Sequence, residues 1–412
     1  MKFKGEAYLT AFVSFLVMCC TLALTRQAQF PSLDIFAAPL AVLIILCFCN
    51  KNSFTLDFLF FFVACSVLAC VGLGKGFLSI DALRFFIILT FSLLAFRMKN
   101  LKLNWQLAML PVALQAAFIS VVAVYLGIKA DYSLGQKVRA FVLERQWGDI
   151  YSFDGIYYRV QLKGNALIPG LFLMSLFSIP TEKRISIKIY LILSSAGLVA
   201  AGNLNYFIVA LVAVGIRIFY LLRYRVWACL GATYIACLSI VLFFDKLIRL
   251  ISMKFEGDVS SMSVRFDQID ALLRHYYERP LSLIFGEGLG ARFPDGQIRQ
   301  YSNGLYIELQ TLYIFYQLGF IVFSLFVFIL LRFSLHYLSD RGRVVFYLFI
   351  ACGLANPYIF DSTQILFTFI LVSTSVFGAS KLDAAAICSR QGNVVPSVNT
   401  AKPDFHLSST LS

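Results

Sequence analysis

The chain has 412 residues, of which 60% are hydrophobic and only 14% charged, with a formal net charge of +13. Soluble domains sit nearer to roughly 45–50% apolar and 25% charged, and a soluble core of this size cannot hide that much apolar surface, 42 Phe included. Disorder, collagen-like structure and an ordinary cytosolic enzyme are excluded, which leaves an all-α polytopic membrane protein. The apolar residues run continuously instead of alternating, which disfavours a transmembrane β-barrel.

The N-terminus places Lys2 and Lys4 before an 18-residue apolar run, longer than a usual signal-peptide core, and the spacing predicts a retained first helix. Twelve apolar runs follow the chain: 8–25, 33–49, 54–73, 78–96, 107–127, 165–179, 186–201, 203–222, 226–244, 305–331, 344–360 and 363–379. Most have the ~20 residues that cross ~30 Å of hydrocarbon. The stretch 186–222 is too long for one span, and Gly202-Asn203 supplies a turn that splits it.

Orientation follows from Lys and Arg in the short connections. The side of the N-terminus carries 14 of them and the opposite side 2, Arg26 and Lys75. Both termini are therefore expected in the cytoplasm. The positive charge is topological, and nucleic-acid binding is not needed to explain it. Nine of the ten cysteines lie in apolar runs as small fillers, with Cys388 in the polar tail, and the three histidines are scattered. No disulfide framework, metal site or other cofactor is expected.

Two connections, 128–164 and 245–304, exceed about 20 residues, and both fall on the extracytoplasmic face. In the first, Leu134, Val138, Phe141 and Val142 recur at helical spacing, which predicts an interfacial amphipathic helix. In the second, Ser263 can cap a helix through VRFDQIDALLRHYYER, with Phe266, Ile269, Leu273, Tyr276 and Tyr277 as its apolar face and Pro280 as its end. That loop has eight basic and eight acidic residues, the pattern of a folded surface that either binds substrate or caps the bundle. The architecture is then a bundle over 1–379 with these two loops, followed by a polar tail, 380–412, expected to be disordered in the cytoplasm.

GEGLGARF (286–293) lacks the strand-and-helix context of a dinucleotide fold and reads as a tight loop. Gly286, Gly288 and Gly290 there let backbone N–H groups approach an anion or sugar. Arg265, Arg274, Arg279, Arg292 and Arg299 lie in the second loop, and Arg159 and Lys163 close the first. Two basic clusters suit a large substrate carrying a diphosphate. Local pairing with Asp267, Asp270, Glu278 and Asp295 is the other reading. Within the spans ionisable residues are few, and Asp57, Asp81, Arg84 and Glu308 stand out among them. Asp81 and Arg84 are spaced for an i,i+3 ion pair, and Glu308 opens a span where the helix dipole favours a carboxylate. Tyr306, Gln310, Tyr313 and Gln317 form one polar stripe that should face something other than lipid, while Glu308 projects from the opposite side, near Tyr301.

Three patterns, YRVQLKGNALIPG leaving the first loop, SVRFDQIDALL…RPLSLIFGEGLGARF in the second and SNGLYIELQTLYIFYQLGFIVF entering the next span, together with the topology resemble the O-antigen/capsule repeat-unit polymerases (Wzy type), relatives of the O-antigen ligases. The resemblance implies a glycosyltransferase of the bacterial inner membrane. Its substrate would be an undecaprenyl-diphosphate-linked oligosaccharide, joined at the periplasmic face without metal or nucleotide. Besides membrane lipids, a chain-length regulator and a flippase of the same pathway are implied as partners. It also implies that Arg265 and Arg292 grip the diphosphate and that Arg159 contributes from the first loop, with Lys163, Arg279, the three glycines, Tyr301 and Asn303 lining the substrate site. Ligases carry a His-Asn pair where this chain has Ser302-Asn303, which favours the polymerase branch and leaves the general base open, with Glu308 the first candidate and His275 read as structural. The ligase reaction and a transporter or flippase for the same glycan are the alternatives.

Overall fold

The structure is a computed structural model. It describes residues 2–26, most of 39–48, 55–98, 101–129, 131–145, 147–152, 157–178, 185–222, 231, 234, 261–293, 309–354, 361–374 and 376–378. The apolar run 226–244, the tail 380–412 and most of the connection 245–260 and 294–308 fall almost entirely outside those residues, as does part of the run 33–49.

The chain is mostly helical. Five helices are long and apolar enough to cross a membrane: Tyr8–Arg26, Leu56–Gly74, Ser79–Arg97, Leu110–Lys129 and Gln310–Tyr337. They lie in α1 (Lys2–Arg26), α2 (Leu56–Gly74), α3 (Ser79–Leu94) with its following 3-10 turn Ala95–Arg97, α5 (Leu110–Lys129) and α12 (Gln310–Tyr337). A short α4 (Trp105–Ala108) precedes α5. The expected runs 165–179, 186–201, 203–222 and 363–379 form shorter apolar helices: α7 (Ile168–Ser178), α8 (Ile185–Ala201), α9 (Leu204–Leu222) and α14 (Ser362–Ser373). The run 344–360 is represented by α13 (Asp340–Gly353).

The helices at the centre are α7, buried along its whole length, and α14, buried from Thr363 onward. Gly170 lets Phe367 lie directly against the α7 backbone, and Phe367 stacks on Phe349 of α13 at 3.9 Å between ring centroids. Just past α14, Thr374 Oγ1 donates to the Ile370 carbonyl. On α1, Thr21 Oγ1 donates across to the Ala108 carbonyl at 2.6 Å, joining α1 to the α4–α5 corner. In an apolar surrounding such a bond satisfies a group that would otherwise be costly to bury. The turn expected at Gly202-Asn203 is present. Gly202 adopts φ +58°, the left-handed geometry that ends a helix, and α8 stops at Ala201.

The first long connection folds as α6 (Tyr132–Glu144), opened by Asp131, whose Oδ1 accepts from the Ser133 and Leu134 amides. The expected amphipathic helix is therefore there, with Val142 buried and Leu134 and Val138 packed against the core. A hairpin that the sequence reading did not contain follows it: β1 (Gly148–Ser152) and β2 (Tyr158–Leu162) pair antiparallel, Ile150 opposite Val160. It sits on α5, α6 and α8, and both Ile150 and Val160 are buried. Tyr157 Oη donates to the Val199 carbonyl of α8, fastening the hairpin to the bundle.

Two ion pairs mark opposite ends of α2. Asp57, in its first turn, meets Arg332 near the end of α12, which accounts for Asp57 as a charge in an apolar helix. Lys75, just past its last turn, meets Glu287. The helices α2 and α12 thus run antiparallel, and their ends at Lys75 and Gln310 carry the second long connection.

Candidate functional site

The described part of the second connection comprises α10 (Ser261–Glu278), α11 (Pro280–Phe285) and the glycine loop 286–293. The helix α10 begins at Ser261, so Ser263 lies inside it and is not its cap. Pro280 ends it as expected, and the same proline opens α11, where its missing N–H costs nothing. The buried face of α10 differs from the expected one. Val264, Gln268, Ala271 and Leu272 are inside, while Phe266, Leu273 and Tyr277 are exposed. The reason is that small and hydrogen-bonding side chains allow close approach to the bundle: Gln268 Oε1 accepts from the Leu309 amide at the start of α12.

The glycine loop is wedged between the end of α2, the start of α3 and a break in α12. Gly286, Gly288 and Gly290 all have positive φ, +79°, +97° and +82°. None of them has room for a side chain: a Cβ on Gly286 would lie 2.4 Å from the Gln317 carbonyl oxygen, one on Gly288 2.7 Å from the Gly72 nitrogen and one on Gly290 2.8 Å from the Ala82 nitrogen. The break is at Gly319, φ +66°, which interrupts the α12 ladder and frees carbonyls for the loop. The Glu287 amide donates to the Tyr316 carbonyl at 3.0 Å and the Gly288 amide to that of Gln317 at 3.1 Å. The Leu289 amide reaches back to the Leu68 carbonyl of α2 at 3.0 Å.

The polar stripe on α12 faces this loop. Gln317 Oε1 accepts from the Gly290 amide at 2.9 Å, and Tyr313 Oη donates to the Ala291 carbonyl at 2.7 Å. Tyr316, outside the stripe as read from the sequence, donates to the Arg292 carbonyl at 3.3 Å. The loop amides that the sequence reading offered to an anion are thus engaged by protein at 287–290, and the glycines serve close packing.

At the centre of the arrangement is Glu287, 4% exposed. Its Oε2 receives Lys75 Nζ at 2.5 Å and its Oε1 lies 2.9 Å from His275 Nε2. Burial alone would raise the Glu287 pKa, but the hydrogen bonds and charges of Lys75 and His275 outweigh it and hold the carboxyl below its ordinary value. His275 is edge-on to the rings of Tyr276 and Tyr316. This clamp joins α2, α10 and the loop. Neither Lys75 nor Glu287 was singled out from the sequence as a site residue. An acidic residue flanked by two glycines was the available signal, but its partner is 212 positions away.

The guanidinium of Arg292 is exposed on a backbone held by Tyr313 and Tyr316, and Arg279 is exposed ahead of α11, while Arg265 is half-buried on α10. Asp81, next to the loop at the start of α3, is buried, and Arg84 is exposed. The expected Asp81–Arg84 ion pair does not form. Asp81 turns into the bundle, and its Oδ2 has no hydrogen-bond partner among the described residues.

Arg159 is in a separate place. It is 7% exposed on β2, lies over the Tyr151 ring at 4.8 Å and packs along Gly202. Burial lowers its pKa, opposed by Tyr151, Tyr157 and Asp149. The structure thus joins Arg279, Arg292 and the three glycines in one locality, with Arg265 on the adjoining α10. It puts Arg159 on a hairpin docked to other helices. Lys163 opens the 3-10 turn after β2, and its side chain lies outside the described residues, as do Arg299, Tyr301, Asn303, Tyr306 and Glu308 entirely. Among the described residues, no three His, Cys, Asp or Glu side chains gather where they could hold a metal ion.

The class so defined is a helical protein with membrane-spanning helices and a glycine loop set into the end of its bundle. Compared with models of protein families, with curated proteins and with solved structures, the chain has no match.

Proposed function

We propose that this protein is a polymerase of surface polysaccharide (O-antigen or capsule) in the bacterial inner membrane, with cytoplasmic termini and a periplasmic active face. It would transfer a growing glycan from its undecaprenyl-diphosphate carrier to the non-reducing end of an incoming lipid-linked repeat unit. The observation that carries the reading is Arg292: an exposed guanidinium on a loop whose backbone is anchored by α2 and α12, at the end of a membrane-spanning bundle. A planar donor presented on a fixed backbone is suited to a diphosphate leaving group, because it is already in place as charge develops there. Arg279 and Arg265 supply further positive charge from α10 and its end, and Glu308 is the proposed base or acceptor-hydroxyl ligand.

The reading is tested by incubating the purified protein with a lipid-linked repeat unit and separating the products on a gel. A ladder of lengths with a single repeat-unit spacing is expected. Release of unpolymerised glycan, or transport of the intact lipid without a new glycosidic bond, would overturn it.

A further inference from the structure

The segment between Arg279 and Arg292 reads from its sequence as part of a water-facing loop, yet it exposes an apolar surface next to a membrane-spanning helix. In α11 the side chains of Leu281, Leu283, Ile284 and Phe285 are 68%, 40%, 41% and 58% exposed. This helix lies directly against the break in α12: a Cβ on Gly319 would be 2.5 Å from the Phe285 carbonyl carbon and 2.7 Å from the Ile284 oxygen. Gly319 is nine residues past Gln310, which is roughly 13 Å along a helix axis. No residue of 310–318 is exposed, whereas Phe320 and Ile321, immediately past the break, are 61% and 52% exposed. The outward apolar surface of α12 therefore begins where α11 ends, and α11 continues that surface over the first part of α12.

The backbone satisfies the condition that the bilayer imposes. Irregular backbone at membrane depth is tolerated only where protein satisfies its polar groups, and the amides of 287, 288, 289 and 290 all donate to acceptors on α2 or α12. The one ionisable side chain between 280 and 291 is Glu287, buried and paired with Lys75 and His275. Exposed charges return at both ends, with Glu278 and Arg279 before the segment and Arg292 after it.

We infer that residues 280–291 are a re-entrant segment, dipping into the leaflet at this end of the bundle, and that lipid acyl chains cover Leu281, Ile284 and Phe285. The inference does not rest on the polymerase reading, since it concerns only what solvates this surface. If it holds, the arginines at the two ends of the segment stand at headgroup level, where lipid phosphates are found.

The test uses the full chain in membranes opened so that reagent reaches both faces, which makes it independent of orientation. Single substitutions Leu281→Cys, Ile284→Cys and Phe285→Cys are compared with Glu278→Cys and Arg292→Cys for reaction with a charged maleimide, over the background of the unaltered chain. The first three should react at least roughly tenfold more slowly, because the reactive thiolate does not form in hydrocarbon. Rates within about twofold of the Glu278→Cys rate would overturn the inference. The unaltered chain gives a second measurement that no misfolded variant can confuse. Lipids with a photoactivatable group in the acyl chain should leave adducts on 281–285 as well as on 320–321. Adducts on 320–321 with none on 281–285 would show that water or protein covers α11, and would equally overturn it.

Discussion

Replacing Glu287 by Gln keeps the shape of the side chain and removes the charge that Lys75 and His275 share. The Glu287 and His275 side chains are 5% and 9% exposed, but that of Lys75 is 41% exposed. The Lys75 arm is therefore screened by solvent and contributes at most about 1 kcal/mol. The His275 arm is a hydrogen bond to a charged, buried group, which contributes roughly 1.5–3 kcal/mol. Gln can still accept one bond, so the net loss is about 2 kcal/mol, or roughly 2 °C in melting temperature for a chain of 412 residues. The assay is thermal unfolding of the purified protein in detergent at pH 7, for the parent, Glu287→Gln, Lys75→Met and the double variant. Because the Glu287 pKa is lowered in the fold, its contribution is complete above the ordinary glutamate value of 4.5 and is lost as pH falls through the lowered one. The gap between parent and Glu287→Gln should therefore hold from pH 7 down to about 4.5 and shrink only as pH falls below that value. A Glu287→Gln protein that melts within about 1 °C of the parent, or a double variant whose effect is the plain sum of the singles, would refute the clamp as a coupled unit.

Arg292→Ala and Arg265→Ala should each lower polymer formation by on the order of 10²–10³ while leaving the protein inserted and folded, measured as ladder intensity per amount of protein in the membrane. Wild-type ladders from both would leave the arginines with pairing roles only. Glu308→Gln should lose roughly 10²–10⁴ in rate if a carboxylate base is needed there, with Glu308→Asp keeping a fraction; a Gln variant near wild type would move the base elsewhere. For orientation, a reporter active only outside the cytoplasm should be active when fused within 128–164 or 245–304 and silent at 97–104 or at the C-terminus. An active C-terminal fusion would contradict the even number of spans.

Composition and local pattern were enough to recognise membrane-spanning helices, because burying a helix in lipid demands long uninterrupted apolar runs that no other context produces. Local chemistry likewise placed the turn at Gly202, the amphipathic helix over Tyr132–Glu144 and the end of α10 at Pro280. The stripe through Tyr313 and Gln317 was legible as a polar face, though not its occupant. The buried side of α10 differs from the expected one because close packing against the start of α12, where Gln268 accepts from the Leu309 amide, decides which face is covered. On α10, Phe266, Leu273 and Tyr277 face outward while Gln268 and Ala271 pack inward. The hairpin is hard to read from sequence because each strand is only five residues long and β1, GDIYS, has one aliphatic residue, so docking on α5, α6 and α8 supplies what holds them. Two further features belonged to tertiary structure alone. The separation of Arg159 from Arg292 depends on which helices each loop docks against. The pairing of Lys75 with Glu287 joins residues 212 positions apart, and no local pattern encodes a contact at that distance. It exists because Gly72, Gly286, Gly288 and Gly319 let the backbones of α2, the loop and α12 approach closely enough for the two charges to meet.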